Sequence, residues 1–395
     1  VDIPLASSIQ QVPASRIREL ADLTFSLPGV LKLHFGESNL PTPVFIKEAA
    51  IQALEEGYTF YTENAGLLSL RETLARKYQE LHCVSLDPFS EIVVTASGVQ
   101  ALHLAIRLAL DPGDEALVLT PAWPNGSAIV RMCSAQPIEI PLLFSGRRYE
   151  IDFELLESAV TPRTKLLVYT SPSNPLGWVA ASGDQESLLG FARRHRLWLL
   201  ADEVYERIFY RGPVAPSILR QCTRQDAVLV VQSFSKSYCM TGWRLGWLVG
   251  RADAARKATT LNEFVVSHAP SMAQKAGEAA LQNGEAVIAS MLKRYKDQLD
   301  FCRKSLASIK QITLPDPEGA FYLFPKIRGL ADSFGFCESL LKEKRVSLAP
   351  GVAFGNGGEG SVRICFAADQ SVLEPAMSRI AEFLENWKPD KEEVE

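Results

Sequence analysis

Several side chains in this sequence stand where a reaction, rather than packing, would want them. Lys236 lies in SFSKSYCMTGWRLGW (233–247), among hydroxyls and directly after the apolar run AVLVV (227–231). A neutral amine attacks carbonyl carbons, and lysine is the usual Schiff-base residue. Asp202 and Tyr205 occupy ADEVY at the end of the apolar run WLL. A carboxylate there is costly unless it meets a cation. Asn174 follows KLLVYT in SPSNP, and Trp123 follows ALVLT in PAW, where its flat face can stack on a ring. In SGVQ, Ser97, Gly98 and Val99 turn from a strand into a helix, whose free N–H groups and dipole attract anions. Ser233, Ser235 and Arg244 would add hydroxyl and guanidinium donors to the same anion. Arg363 interrupts SVRICFA, where Val362, Ile364 and Phe366 share one strand face and the arginine takes the other. A forked guanidinium on that face suits a carboxylate.

Singly, each residue has a bland reading. Most lysines are solvated charges, most strand-end glycines are turns, and a tryptophan or tyrosine beside a sheet is usually core. The combination is more specific. A phosphate cradle, a stacking aromatic, a carboxylate for a pyridinium and a Schiff-base lysine together describe a site for pyridoxal 5'-phosphate.

Strands must carry these residues. EIVVTAS, ALVLTP, KLLVYTSP, WLLADEVY, AVLVVQS and LGWLVG are short and mostly continuously apolar, as strands covered on both faces are. They alternate with amphipathic helical stretches. The fold class is therefore α/β, a mostly parallel sheet covered by helices, in which ligands sit outside the carboxyl ends of the strands. Beyond about residue 285 the pattern changes. AVIASMLKRYKDQLDFCRKSL is a helical stripe, followed by a strand (AFYLFPKI), a helix (ESLLKEKR), the SVRICFA strand and a last helix ending near Trp387. This gives a large domain over 46–285 and a smaller α+β domain over 1–45 and 286–395. The tail PDKEEVE is expected to fray.

Bulk properties exclude several classes. The chain has 395 residues and a formal net charge of -5, so there is no basic footprint for nucleic acid. No apolar run approaches the roughly 18 residues of a membrane span. VDIPLASSIQ lacks a basic stretch followed by an apolar one, and seven scattered cysteines suit a reducing compartment, so a cytoplasmic protein is expected. The five histidines show no metal-ligand spacing, and no metal site is expected. Gly355-x-Gly357-x-x-Gly360 imitates a dinucleotide fingerprint but precedes a strand, so it reads as a turn.

With these residues in place, the chain resembles the class I/II aminotransferases, pyridoxal-phosphate enzymes of fold type I. HFGESNLPTP is similar to the family's N-terminal substrate loop, and YTENAGLLSLRETLARKY to its tyrosine-to-glycine segment. TASGVQAL, DPGDEALVLTPAW, SPSNPLG, ADEVY, SFSKSYCMTGWRLGW and SVRICFA follow in the family's order. Leu176 departs from the usual threonine, and Ser38 and Asn39 from the common Pro-Asp. The resemblance implies that Lys236 carries the Schiff base and moves the Cα proton. It implies that Asp202 keeps the ring nitrogen protonated, and that Tyr205 and Asn174 bond the ring oxygen. Ser97, Gly98, Val99, Ser233, Ser235 and Arg244 would hold the phosphate, joined by Tyr61 from the neighbouring subunit of a homodimer. Arg363 would bind the substrate α-carboxylate with Asn174 and the Gly36 backbone. The implied activity is ping-pong transfer of an amino group between an L-α-amino acid and a 2-oxo acid. Carbon–sulfur β-elimination or cyclopropane synthesis on the same fold is the alternative. A non-catalytic effector domain is a third, disfavoured because no basic helix-turn-helix region is present.

Overall fold

The computed structural model describes residues 3–388; the two N-terminal residues and the charged tail, 389–395, lie outside the described residues. Its centre is a seven-stranded sheet. In chain order the strands are β1 (Ile92–Thr95), β2 (Glu115–Thr120), β3 (Gln136–Pro141), β4 (Thr164–Thr170), β5 (Trp198–Asp202), β6 (Val228–Ser233) and β7 (Gly246–Gly250). Their spatial order is β1-β7-β6-β5-β4-β2-β3. All neighbours pair in parallel except β7, which is antiparallel to both β1 and β6.

The continuous apolar runs are explained by burial on both faces. In β4, Leu166 and Val168 join the core on one side, while Leu167 and Tyr169 join the core on the other. The first of these cores is closed by α3 (Gly98–Ala109) and α5 (Ala252–Val265) through Ala101, Leu102, Ala105, Ala255 and Ala258. The second is closed by α1 (Val44–Glu55), α2 (Leu68–His82), α4 (Ser182–His195) and α6 (Ser271–Asn283). One strand, β3, is absent from the apolar list of the preceding section. Its sequence QPIEIP carries two prolines and a charge, which only an edge strand tolerates, and β3 is at the sheet edge.

A third core lies beyond the sheet. The helical stripe forms α7 (Glu285–Leu306), burying Ile288, Met291, Tyr295, Leu299, Cys302 and Leu306. AFYLFPKI is not one strand: β8 (Tyr322–Leu323) stops before Pro325. It joins β9 (Ala349–Pro350) and β10 (Val362–Cys365) in the order β8-β10-β9. Two helices, α8 (Ser333–Lys344) and α9 (Gln370–Asn386), complete this core, and N-terminal Leu20 and Leu33 pack into it. The N-terminal segment is tied there by parallel pairing of Leu31 and Lys32 with Val346 and Ser347. The glycines of FGNGGEG form the turn entering β10, with positive φ at Gly355, Gly357 and Gly360.

Candidate active site

Because β1, β2, β4, β5 and β6 run the same way, their carboxyl ends share one edge. The antiparallel β7 delivers its first residue, Gly246, to that edge, opposite Thr95 and Ser233. There a cavity of ≈ 240 Å³ is lined by Gly36, Gly98, Val99, Trp123, Asn174, Asp202, Tyr205, Ser233, Ser235, Lys236 and Arg244. Residues more than 200 positions apart in sequence thus meet at one strand edge. A second cavity of ≈ 510 Å³ adjoins it, sharing Ser235, Lys236 and Thr241 and bounded by Glu37, Thr42, Trp243 and Phe321.

One end of the first cavity suits an anion. The N–H groups of Gly98 and Val99, in the first turn of α3, have no carbonyl within the helix. Glycine at 98 lets that turn pass close to β6: a Cβ would stand 3.0 Å from the Ser233 Cβ. Glycine at 246 does the same from the other side, since its Cβ would meet the Gly98 nitrogen at 2.5 Å. Ser233 and Ser235 hydroxyls lie 2.9 Å apart, and Arg244 beside them is anchored by a bond of 2.7 Å from Nη1 to the Thr241 carbonyl. Ser97 does not line the cavity. Its hydroxyl caps the helix by accepting from the Gln100 N–H at 3.2 Å.

The other polar groups are desolvated. Burial pushes the Lys236 ammonium down to about 8, with Arg363 and Arg244 lowering it further and Cys365 and Glu37 opposing. Its Nζ donates to the Gly36 carbonyl at 2.6 Å. Burial pushes the Asp202 carboxyl up to about 6, against the Val204 N–H and the Lys236 charge. Trp123 lines the wall, with the Arg363 guanidinium 5.9 Å from its ring centre.

Arg363 is fully buried, yet its bonds go to neutral groups: Nη1 donates to Asn174 Oδ1 at 2.9 Å and Nη2 to the His34 carbonyl. Its Nε has no partner. A buried guanidinium without a counter-charge is expensive, and a carboxylate would relieve it. The neighbouring His34 ring stays neutral, pushed down to about 4 by burial and by Arg363, Lys32 and Arg18. The Gly36 carbonyl accepts from Lys236, while the backbone carbonyl on Arg363 belongs to His34. Tyr61 is not in this chain's cavity. It is 88% exposed, with its ring edge against His268.

Tyr322 also lines the cavity, and the sequence motifs gave no sign of it. Its hydroxyl lies 2.6 Å from that of Tyr205. The two are 117 positions apart; an antiparallel bridge between Phe209 and Gly319 brings their segments together, and the pairing of β8 with β10 sets Tyr322 beside Arg363.

An α/β sheet with an amine, a carboxyl and an anion cradle at its carboxyl edge defines an enzyme site of fold type I. The comparisons specify it further. The family model for aminotransferase class I and II matches residues 28–380. An aspartate aminotransferase of Pyrococcus horikoshii is 33% identical over 97% of this chain and 98% of its own length. An aromatic-amino-acid aminotransferase of Thermococcus litoralis is 33% identical over 97% and 99%. Among solved structures, a single mutant of Thermus thermophilus aspartate aminotransferase superposes with a TM-score of 0.89 at 32% identity, covering 96% of this chain and all of that one. The chain belongs to the class I and II aminotransferases, and it is an aminotransferase. Its substrates are amino acids and oxo acids, and among the described residues no helix is long and apolar enough to cross a membrane.

Proposed function

We propose that this aminotransferase works with pyridoxal 5'-phosphate held on Lys236, and moves the amino group of an L-α-amino acid to a 2-oxo acid in two half-reactions. One observation carries the reading: an amine, a carboxyl and a phenol converge on a single cavity beside an anion cradle, and Asn174 in the wall of that cavity accepts from a buried guanidinium whose bonds go to neutral groups. The donor set fits the cofactor. Gly98, Val99, Ser233, Ser235 and Arg244 would hold its phosphate, with Ser97 stiffening the turn. Asp202, raised to about 6 and without a cationic bond partner, suits a protonated ring nitrogen. Trp123 would cover the ring, and Tyr205 and Asn174 would reach its oxygen.

When bound, the cofactor supplies an aldehyde that condenses with amines and a ring that withdraws electrons from the carbon bearing them. The chain supplies the rest. Lys236, at about 8, has a substantial neutral fraction near neutral pH. That amine is a base for the proton on the substrate Cα. Asp202 is ionised above about pH 6 and keeps a ring nitrogen protonated. Arg363 clamps the α-carboxylate in two-pronged fashion while Asn174 holds the guanidinium in place. In this reading residues 46–285 bind the cofactor, and 1–45 with 286–395 form the smaller, substrate-covering unit. The working form is a cytoplasmic homodimer in which Tyr61 completes the neighbour's phosphate site.

Borohydride treatment of the holoprotein, followed by peptide mass analysis, tests the assignment. A pyridoxyl adduct on Lys236 is expected; an adduct elsewhere, or none, overturns it. Added amino acid should bleach the cofactor's aldehyde absorbance and an oxo acid should restore it. Release of pyruvate and ammonia instead would mark a lyase.

A further inference from the structure

We propose that Tyr322 is a positioning residue that acts on the cofactor through Tyr205, by donating its hydroxyl proton to the Tyr205 oxygen. The inference rests on the reading above, in which Tyr205 serves the cofactor's ring oxygen.

Both phenols are buried, with hydroxyls 2.6 Å apart and rings nearly perpendicular at 78°. Each hydroxyl has one proton to give. If Tyr205 donated to Tyr322, it would have none left for the cavity they both line. If Tyr322 donates, Tyr205 keeps a proton aimed at a ligand. A nearby charge selects the second arrangement, and packing holds the hydroxyl in place. The Arg363 guanidinium lies 4.6 Å from the centre of the Tyr322 ring, closer than the 5.9 Å between the Lys236 Nζ and the Tyr205 ring centre. A cation there draws electron density from the ring and makes its O–H the better donor. The absence of a side chain at Gly36 leaves the space that the Tyr322 hydroxyl fills, since a Cβ would collide with it. The hydroxyl is thereby wedged between Tyr205 and the peptide that Lys236 grips. Tyr322 is not free to turn away, because pairing with Cys365 holds its backbone and Phe321 packs edge-on against Tyr205.

A bond received by Tyr205 polarises its own O–H and strengthens the bond it gives. A stronger donor on the ring oxygen withdraws electrons from it. The nitrogen of Lys236, which competes with Tyr205 for that oxygen, then holds its proton less tightly. Tyr322 therefore keeps down the pH at which the bound cofactor's visible absorbance titrates.

The test is that titration in the holoenzyme. In Tyr322→Phe the midpoint should move upward by about half a pH unit, the size of one weakened hydrogen bond. Tyr205→Phe should move it further. In the double variant, Tyr322→Phe should add nothing, because its route runs through Tyr205. Phenylalanine keeps the ring and its packing, so unfolding midpoints should stay close to wild type. An unchanged absorbance midpoint in Tyr322→Phe, or an equal shift with and without Tyr205, overturns the proposal. Borohydride adducts on Lys236 in each variant separate this failure from a failure of the cofactor assignment.

Discussion

Lys236 and Asp202 are shifted by the same cause in opposite senses. Removing water disfavours charge, so the amine is easier to deprotonate and the acid harder to ionise. For the lysine this has a kinetic consequence. Only the neutral amine condenses with an aldehyde, so recombination of apoprotein with pyridoxal phosphate should accelerate as pH rises through about 8. Stopped-flow absorbance from pH 6.5 to 9.5 would show the inflection. A rate still climbing steeply at the top of that range would mean that the amine is solvated. A second carboxyl, Glu203, lies directly after Asp202 and is fully buried. Burial, then the Glu206 charge, pushes it up to about 8 from an ordinary 4.5. Between those values the folded chain keeps a proton that the unfolded chain has released. Stability therefore falls as pH rises through that window. Glu203→Gln cannot titrate, so its urea midpoint should gain on the wild type steadily from pH 5 to pH 8. Parallel curves would show that the carboxyl is not held protonated.

At the scale of elements, the site depends on backbones that touch. The start of α3, the end of β6 and the start of β7 approach closely only because residues 98 and 246 lack side chains. In Gly246→Ala the new methyl would stand 2.5 Å from the Gly98 nitrogen and 2.7 Å from the Gln232 carbonyl oxygen. Both are backbone atoms, so neither can rotate away. The expected cost is about 1–3 kcal/mol of stability and, as the cradle opens, roughly tenfold weaker cofactor binding. Thermal unfolding and fluorescence titration with pyridoxal phosphate measure the two. Retained affinity would mean that the α3 turn does not carry the phosphate. The same elements show what the sequence could tell. The central strands were legible because burial on both faces leaves continuous apolar runs, and site residues were legible because they follow those runs. β3 was not, since its prolines and glutamate imitate a loop. Tyr322 and the His34 carbonyl were not, because each acts through a partner hundreds or a hundred-odd positions away, and nothing local marks either.

For the molecule as a whole, the site draws on two cores. The sheet presents Lys236, Asp202, Tyr205 and Asn174, while β8 presents Tyr322 and β10 holds Arg363 against Asn174. Among the described residues, Tyr61 is one of several large, exposed apolar side chains. Phe60, Tyr61 and Phe264 are 80%, 88% and 82% exposed, and Val44, Ile51 and Val265 extend the apolar area. These segments are joined to each other: Ser271 donates to the Tyr58 carbonyl, Asn262 to the Asn64 carbonyl, and the Tyr61 ring meets His268. Exposed apolar side chains on linked segments suit an interface, and a second copy is the occupant that the proposed role of Tyr61 requires. That role makes a prediction about mixed dimers. A Tyr61→Ala chain and a Lys236→Ala chain should each be nearly inactive alone. Co-expressed with different tags, they pair at random. In a mixed dimer the lysine-bearing subunit receives Tyr61 from its neighbour, and the other site has neither residue. Half the dimers would each hold one intact site of two, so the mixture should regain roughly a quarter of wild-type transaminase activity. If Tyr61 served its own subunit, no combination would contain an intact site and no activity would return.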